Sequence, residues 1–130
     1  MKNLISFFIL LAVSGCKKTP ETPANYDFKI NTSRSIGTST LVLKSISDSR
    51  CPINADCISA GGVRAFFKLT TDNTDREITL CKGVCGPLES STTIKIDGIN
   101  YSLKLINVTP YPQLQKSDNT QTVKVELTRT

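Results

Sequence analysis

Ile94-Lys95-Ile96-Asp97-Gly98-Ile99-Asn100-Tyr101-Ser102-Leu103-Lys104-Leu105 is the stretch that decides the fold class. Apolar and polar residues alternate on both sides of Asp97-Gly98, the dipeptide that supplies the two positive-φ residues of a type I′ turn. Two short half-buried strands joined by a tight hairpin follow from it. Beyond Leu105 the apolar phase shifts to Ile106 and Val108. A phase slip inside one strand needs an extra residue, so a β-bulge is expected near Leu105-Ile106. Pro110 and Pro112 then end the strand, because neither can donate to a ladder.

The same period recurs on either side of the hairpin. Tyr26, Phe28 and Ile30 alternate with Asp27 and Lys29; Val63, Ala65, Phe67 and Leu69 alternate with Arg64, Phe66 and Lys68. Leu41 to Ile46 forms another strand, its inner face ambiguous because Leu41, Val42 and Leu43 are contiguous. Ile78 with Leu80, and Val123 with Val125 and Leu127, complete a set of about seven strands. Helical periodicity is hard to find. The expectation is all-β: an antiparallel β-sandwich, immunoglobulin-like in one form, with a small β-barrel as the alternative.

The chain ahead of these strands reads as targeting. Met1-Lys2-Asn3 is a short basic segment, and Leu4 to Val13 is apolar except for Ser6. Ten residues span about 15 Å as helix, short of a hydrocarbon core of roughly 30 Å, which argues against a transmembrane anchor. The run ends in Ser14-Gly15-Cys16, small residues before one cysteine, as a bacterial lipoprotein signal peptide ends. The reading is a signal peptide over 1–15, lipid (palmitate among its chains) on Cys16, a Pro/Thr-rich tether over 16–25 and one domain over 26–130. An ordinary cleaved secretory signal with Cys16 incidental is the weaker alternative. Lys rather than Asp after Cys16 points to an outer membrane, with either face open.

Loss of Lys2 with the signal lowers the formal charge from +5 to +4. Lys17 and Lys18 would each add about 1 kcal/mol of attraction to anionic head groups. The remaining charge is scattered without a basic stripe, which argues against nucleic-acid binding. The expected partners are the membrane through the lipid, and a protein or glycan of the envelope; the sequence sets no oligomeric state.

Four cysteines follow Cys16: Cys51, Cys57, Cys81 and Cys85. In an oxidising compartment an even number reads as disulfides. Local pairing, Cys51 with Cys57 and Cys81 with Cys85, is favoured by proximity in turn-rich segments. Crossed pairing would tie distant segments together, and spacing alone does not exclude it.

Asp48-Ser49-Arg50-Cys51-Pro52, then four residues, Cys57 and Gly61, resembles a family of small bacterial secreted proteins and lipoproteins. That family's signature runs D-S-R-C-P-x4-C-x-W-x-G and leads into a strand. Thr109-Pro110-Tyr111-Pro112 after a long strand is similar to it as well. The resemblance implies an exported, small, disulfide-bonded domain and no catalytic residues. Ser59 stands where the family has Trp, so Phe66 or Phe67 is expected to fill the space of that ring.

Asp48, Arg50, Pro52 and Asp56 make the candidate binding loop. Arg50 is expected to pair with Asp48 or Asp56, or to donate to loop carbonyls, giving an ordered connection. A rigid loop with Arg50 at its base could also present itself to a secreted hydrolase as an inhibitor. Tyr111 between two prolines is expected to lie as a lid over the sandwich edge.

The chain has no histidine, which removes Ser-His-Asp and Cys-His chemistry and the commonest metal ligand. Cys-x5-Cys and Cys-x3-Cys arms do not suit structural zinc. Cys81-Lys82-Gly83-Val84-Cys85 resembles a thiol-redox pair only loosely. Asp72-Asn73-Thr74-Asp75 offers clustered oxygens for weak calcium binding, or a plain polar hairpin. No carboxylate spacing marks a glycosidase pair. Gly61-Gly62 reads as a turn. The expectation is a non-catalytic protein without cofactor or metal.

Overall fold

Period-two patterning requires a second layer to cover each apolar face, and the chain supplies it by folding into two four-stranded sheets. The computed structural model describes residues 15, 22–115 and 120–130. Its eight strands are β1 (Ala24–Phe28), β2 (Ser33–Ile36), β3 (Ser39–Asp48), β4 (Gly62–Thr71), β5 (Thr74–Gly83), β6 (Ser91–Ile96), β7 (Ile99–Thr109) and β8 (Thr122–Arg129). The sheets run β1-β8-β7-β6 and β2-β3-β4-β5, with every pairing antiparallel.

Neighbours in each sheet follow chain order, except that β1 pairs with β8. This is the order of an up-and-down barrel opened along two seams, not the Greek-key connection of an immunoglobulin domain. Long side chains bridge both seams. Arg34 donates to the Asp27 carbonyl at 3.5 Å across β2 and β1, and Arg76 to the Thr93 carbonyl at 3.5 Å across β5 and β6. Charged side chains of this kind blunt edge strands.

Between the sheets lies one core, including Phe28, Leu41, Leu43, Ala65, Phe67, Leu80, Leu103, Leu105 and Val125. Phe28 and Phe67 meet edge to face, with ring centroids 5.4 Å apart. The bulge expected in β7 is present: the register jumps from Leu105 to Asn107, which turns Val108 inward. A second bulge skips Lys44 in β3. It settles the ambiguous strand, with Leu41 and Leu43 inside before it and Ile46 packed against the core after it.

Two details differ from the sequence reading. Ile30 is not in the first strand: β1 stops at Phe28, and a turn in which Thr32 N donates to the Lys29 carbonyl leaves Ile30 exposed. β2, of sequence Ser-Arg-Ser-Ile, is an additional strand with one buried residue.

Because the strands alternate in direction, the connections sort by end. Residues 37–38, 72–73 and 97–98 turn at one end, where β1 begins and β8 finishes. Residues 29–32, 49–61, 84–90 and 110–121 connect at the other. We call these the turn end and the loop end.

Candidate functional site

At the loop end the chain must satisfy four longer connections without ladder partners. The Cys51 loop starts as a pinch. Ser49 N and its hydroxyl both donate to the Gly62 carbonyl, at 2.9 and 2.8 Å, and Cys51 N donates to the Ala60 carbonyl at 2.9 Å. Gly61 closes the pinch at φ +64, where a Cβ would overlap the Ser49 carbonyl. At Gly62 a Cβ would lie 2.6 Å from the Val84 carbonyl oxygen, so the close approach of the 84–90 connection also depends on glycine.

Arg50 turns inward from this pinch. Its Nε donates to Asp48 Oδ1 at 2.8 Å and its Nη2 to Asp48 Oδ2 at 2.6 Å, a two-pronged ion pair. Nη1 reaches the Val108 carbonyl at 3.0 Å, and the guanidinium carbon lies 4.1 Å from the centre of the Tyr111 ring. Asp48 also accepts from Arg50 N at 3.2 Å and from Gln121 Nε2 at 2.7 Å. Gln121 Nε2 lies 3.4 Å from the Pro110 carbonyl oxygen, just past the cis Thr109–Pro110 peptide.

Burial pushes the Asp48 carboxyl upward, but hydrogen bonds from Arg50 and Gln121, with the Arg50 charge, together hold it below the ordinary carboxylate value. The pair is turned inward: the guanidinium's Nε, Nη1 and Nη2 each donate internally, and Arg50 is only 8% exposed. It is a strut joining β3, β7 and the 110–121 connection.

The residues singled out in the sequence therefore do not form one presented site. Arg50 is buried and paired with Asp48, Asp48 and Pro52 are half-buried, and Asp56 is exposed. Arg50 chooses Asp48 over Asp56. Tyr111 lies over the guanidinium rather than over the apolar core. Gln121 carried no sequence signal, since a lone glutamine beside a strand resembles any surface residue.

Both disulfides are local, with Cα–Cα distances of 5.8 Å for Cys51–Cys57 and 6.0 Å for Cys81–Cys85. They differ in cover: Cys81 and Cys85 are buried, whereas Cys57 is exposed. Ser59 is exposed and its hydroxyl accepts from Gly61 N, so no core space waits to be filled there. Phe67 is in the core through its own strand alternation, and Phe66 faces outward, half-buried.

The loops also carry apolar surface. Among the described residues, the large hydrophobics left exposed are Ile30, Ile53, Ile58, Val84, Tyr111 and Leu114, all in the four loop-end connections. Three of these connections are hydrogen-bonded together. Ile53 N donates to the Pro112 carbonyl at 3.0 Å, Leu114 N to the Asn54 side chain at 2.8 Å, and Val84 N to the Gly61 carbonyl at 3.0 Å.

Elsewhere the surface offers less. Asp72 and Asn73 form the β4–β5 turn, while Asp75 pairs with Lys68 at 2.9 Å and accepts from Thr70 at 2.7 Å. Lys68 and Thr70 therefore engage the Asp75 carboxylate of this segment. Among the described residues no three His, Cys, Asp or Glu side chains gather around a possible metal position, and no helix is long and apolar enough to cross a membrane. A groove of about 270 Å³ runs beside Lys44, Phe66, Lys68 and Glu77, and an open surface depression of about 250 Å³ lies beside Tyr26, Ile36, Tyr101 and Leu127. Cys16, Lys17 and Lys18 lie outside the described residues. Comparison with known proteins finds no matching family model, no matching curated protein and no matching solved structure.

Proposed function

We propose that this chain is a lipid-anchored protein of a bacterial envelope, held through Cys16 and acting as a non-catalytic binding or structural accessory domain. The observation that carries the reading is the run of signal-like residues 1–15 ending at Cys16, ahead of an all-β domain closed by two disulfides. The resemblance of the Asp48–Gly61 motif to small exported proteins supports the same reading.

The inhibitor and thiol-redox readings are weaker for specific reasons. Arg50 is buried against Asp48 and is not displayed on the loop. Cys81 and Cys85 are buried, where an incoming thiolate has poor access. Growth of the source cell with labelled palmitate tests the anchoring directly. Label on the protein, lost in Cys16→Ser, is the expected result; an unlabelled protein overturns it. Lys17 and Lys18 beside the lipid, without an Asp, favour the outer membrane.

A further inference from the structure

We infer that the groove on the outer face of β3, β4 and β5 is a binding site for an uncharged saccharide. The β3 bulge builds it. Skipping Lys44 in the ladder leaves Lys44 and Ser45, neighbours in sequence, both exposed. A bulge bends its strand and re-aims side chains, and bulges gather beside binding sites. Ser45, Phe66 and Thr79 form one cross-strand row, with Lys68 opposite Glu77 in the next. Half-buried Phe66 thus faces outward between two hydroxyls, and the groove at this row has a volume of about 270 Å³. Among the described residues no hydrogen bond or ion pair engages the side chains of Lys44, Ser45, Glu77 or Thr79, whereas Lys68 is held by Asp75 at 2.9 Å.

The chemistry of the lining selects the ligand. With Lys68 neutralised by Asp75, the groove carries one free cation, Lys44, and one free anion, Glu77. An anionic ligand would meet Glu77 and a cationic one Lys44, while a hydrocarbon chain would cover both charges without giving either a partner. A sugar ring satisfies all of these groups. Its hydroxyls donate and accept, so Lys44, Glu77, Ser45 and Thr79 each find a partner. The C–H groups of its apolar face can lie on the electron-rich face of the Phe66 ring. The volume is close to the lower bound of small-molecule sites, about 300 Å³, which suits a short stretch of sugar chain. A protein, or a second copy, needs more: a stable interface buries at least about 1,200 Å² around an apolar centre. This face sets two half-buried apolar side chains, Val42 and Phe66, among exposed Ser33, Ser35, Ser47 and Arg64. The inference deepens the binding role proposed above and rests on that reading, though not on the lipid.

The test is binding of the full chain, purified in detergent from the source cell, to an array of oligosaccharides. Neutral glucose, mannose and N-acetylglucosamine oligomers stand beside acidic galacturonate and basic glucosamine oligomers. The expected result is binding to a neutral oligomer in preference to both charged sets, weakened about tenfold by Phe66→Ala and kept by Phe66→Tyr. Lys44→Ala and Glu77→Gln, both at exposed positions, test the groove even where Phe66→Ala fails to fold, and each should weaken binding severalfold. Lys104→Ala, an exposed lysine of β7 on the other sheet, should leave it unchanged. No binding to any neutral oligomer, preference for a charged one, indifference to the Lys44 and Glu77 variants, or equal loss in Lys104→Ala each overturns the inference. Labelled palmitate is followed on the same chain. Sugar binding without palmitate removes the anchoring and keeps the groove; palmitate without sugar binding does the reverse.

Discussion

The turn end and the loop end solve the same problem, reversing a chain between antiparallel strands, by different physics. At the turn end each reversal takes two residues whose own φ values suffice: Gly37 at 59°, Asp72 and Asn73 at 48° and 62°, Asp97 and Gly98 at 52° and 76°. Primed turns of this kind match the strand twist and need little from the rest of the molecule. Thr38 adds one contact between the sheets, its amide and hydroxyl donating to the Asp97 carboxylate. At the loop end the reversals are longer and have no such local solution. Order there comes from partners distant in sequence: Arg50 with Val108, Gln121 with Asp48, Val84 with Gly61. The difference predicts that the loop end is where single changes cost most.

The strut should show the largest effect. Arg50→Met keeps the length of the side chain but leaves the half-buried Asp48 carboxylate without its charged partner, a loss of about 2–3 kcal/mol. Asp97→Ala, which removes the exposed contacts to Thr38, should cost about 1 kcal/mol. Urea unfolding of the two variants checks the contrast. Equal losses would mean that the two ends are held alike and the comparison fails.

Next come the disulfides. Removing Cys51–Cys57 by a double Ser replacement opens a seven-residue loop, worth roughly 2 kcal/mol in the chain-entropy model, and Cys81–Cys85 is worth about as much. Their accessibility differs more than their energy. Under limiting reductant, exposed Cys57 should be attacked first, so alkylation and mass mapping should find an intermediate modified at Cys51 and Cys57 only. Simultaneous loss of both bridges, or earlier loss of Cys81–Cys85, would contradict the burial that separates them.

The same division explains what could be read in advance. The Asp97-Gly98 hairpin, the β7 bulge and the alternating faces of β4 and β8 are statements about neighbours in sequence, and they were legible. The β3 bulge had the same signal, since Leu41 and Leu43 share one phase and Ile46 the other, but the apolar run across Val42 obscured it. β2 was not legible: Ser-Arg-Ser-Ile has one apolar residue, and its pairing with β3 decides it. At the candidate site, proximity favours local disulfide pairing, but it leaves Arg50 between Asp48, Asp56 and the loop carbonyls. The inward direction of the Asp48–Arg50 pair was not legible. It depends on a carbonyl 58 residues away and an amide 73 residues from Asp48.

Acid should separate the two depressed carboxylates. The folded Asp48 carboxyl lies below its unfolded value, so its stabilisation is complete above the unfolded value and is lost as pH falls through the folded one. Asp75 is lowered in the same direction, chiefly by the hydrogen bond from Lys68 and then by Thr70, but it is exposed and open to salt screening. Stability should therefore fall below about pH 4. In Asp48→Asn the acid-dependent part of that fall should shrink at both low and high salt. In Asp75→Asn it should change little, and less still at high salt. Indifference of the acid limb to Asp48→Asn would show that the strut is not carried by the ionised carboxylate.

The smallest predicted effect has the opposite sign. Asn73 holds φ 62° as the second central residue of the β4–β5 turn, a conformation that glycine adopts without a Cβ penalty. Asp-Gly is the preferred pair for this turn type, as at Asp97-Gly98. Glycine also gains freedom in the unfolded chain, which offsets part of the benefit. Asn73→Gly should therefore stabilise by about 0.5 kcal/mol at most. Gly61→Ala, at a nearly equal φ of +64°, should destabilise strongly because its Cβ meets the Ser49 carbonyl. Backbone angle alone predicts modest effects at both positions. Thermal unfolding that separates them by several degrees would show that long-range packing, not turn geometry, holds the loop end; a separation within error would mean that the Ser49 pinch relaxes freely.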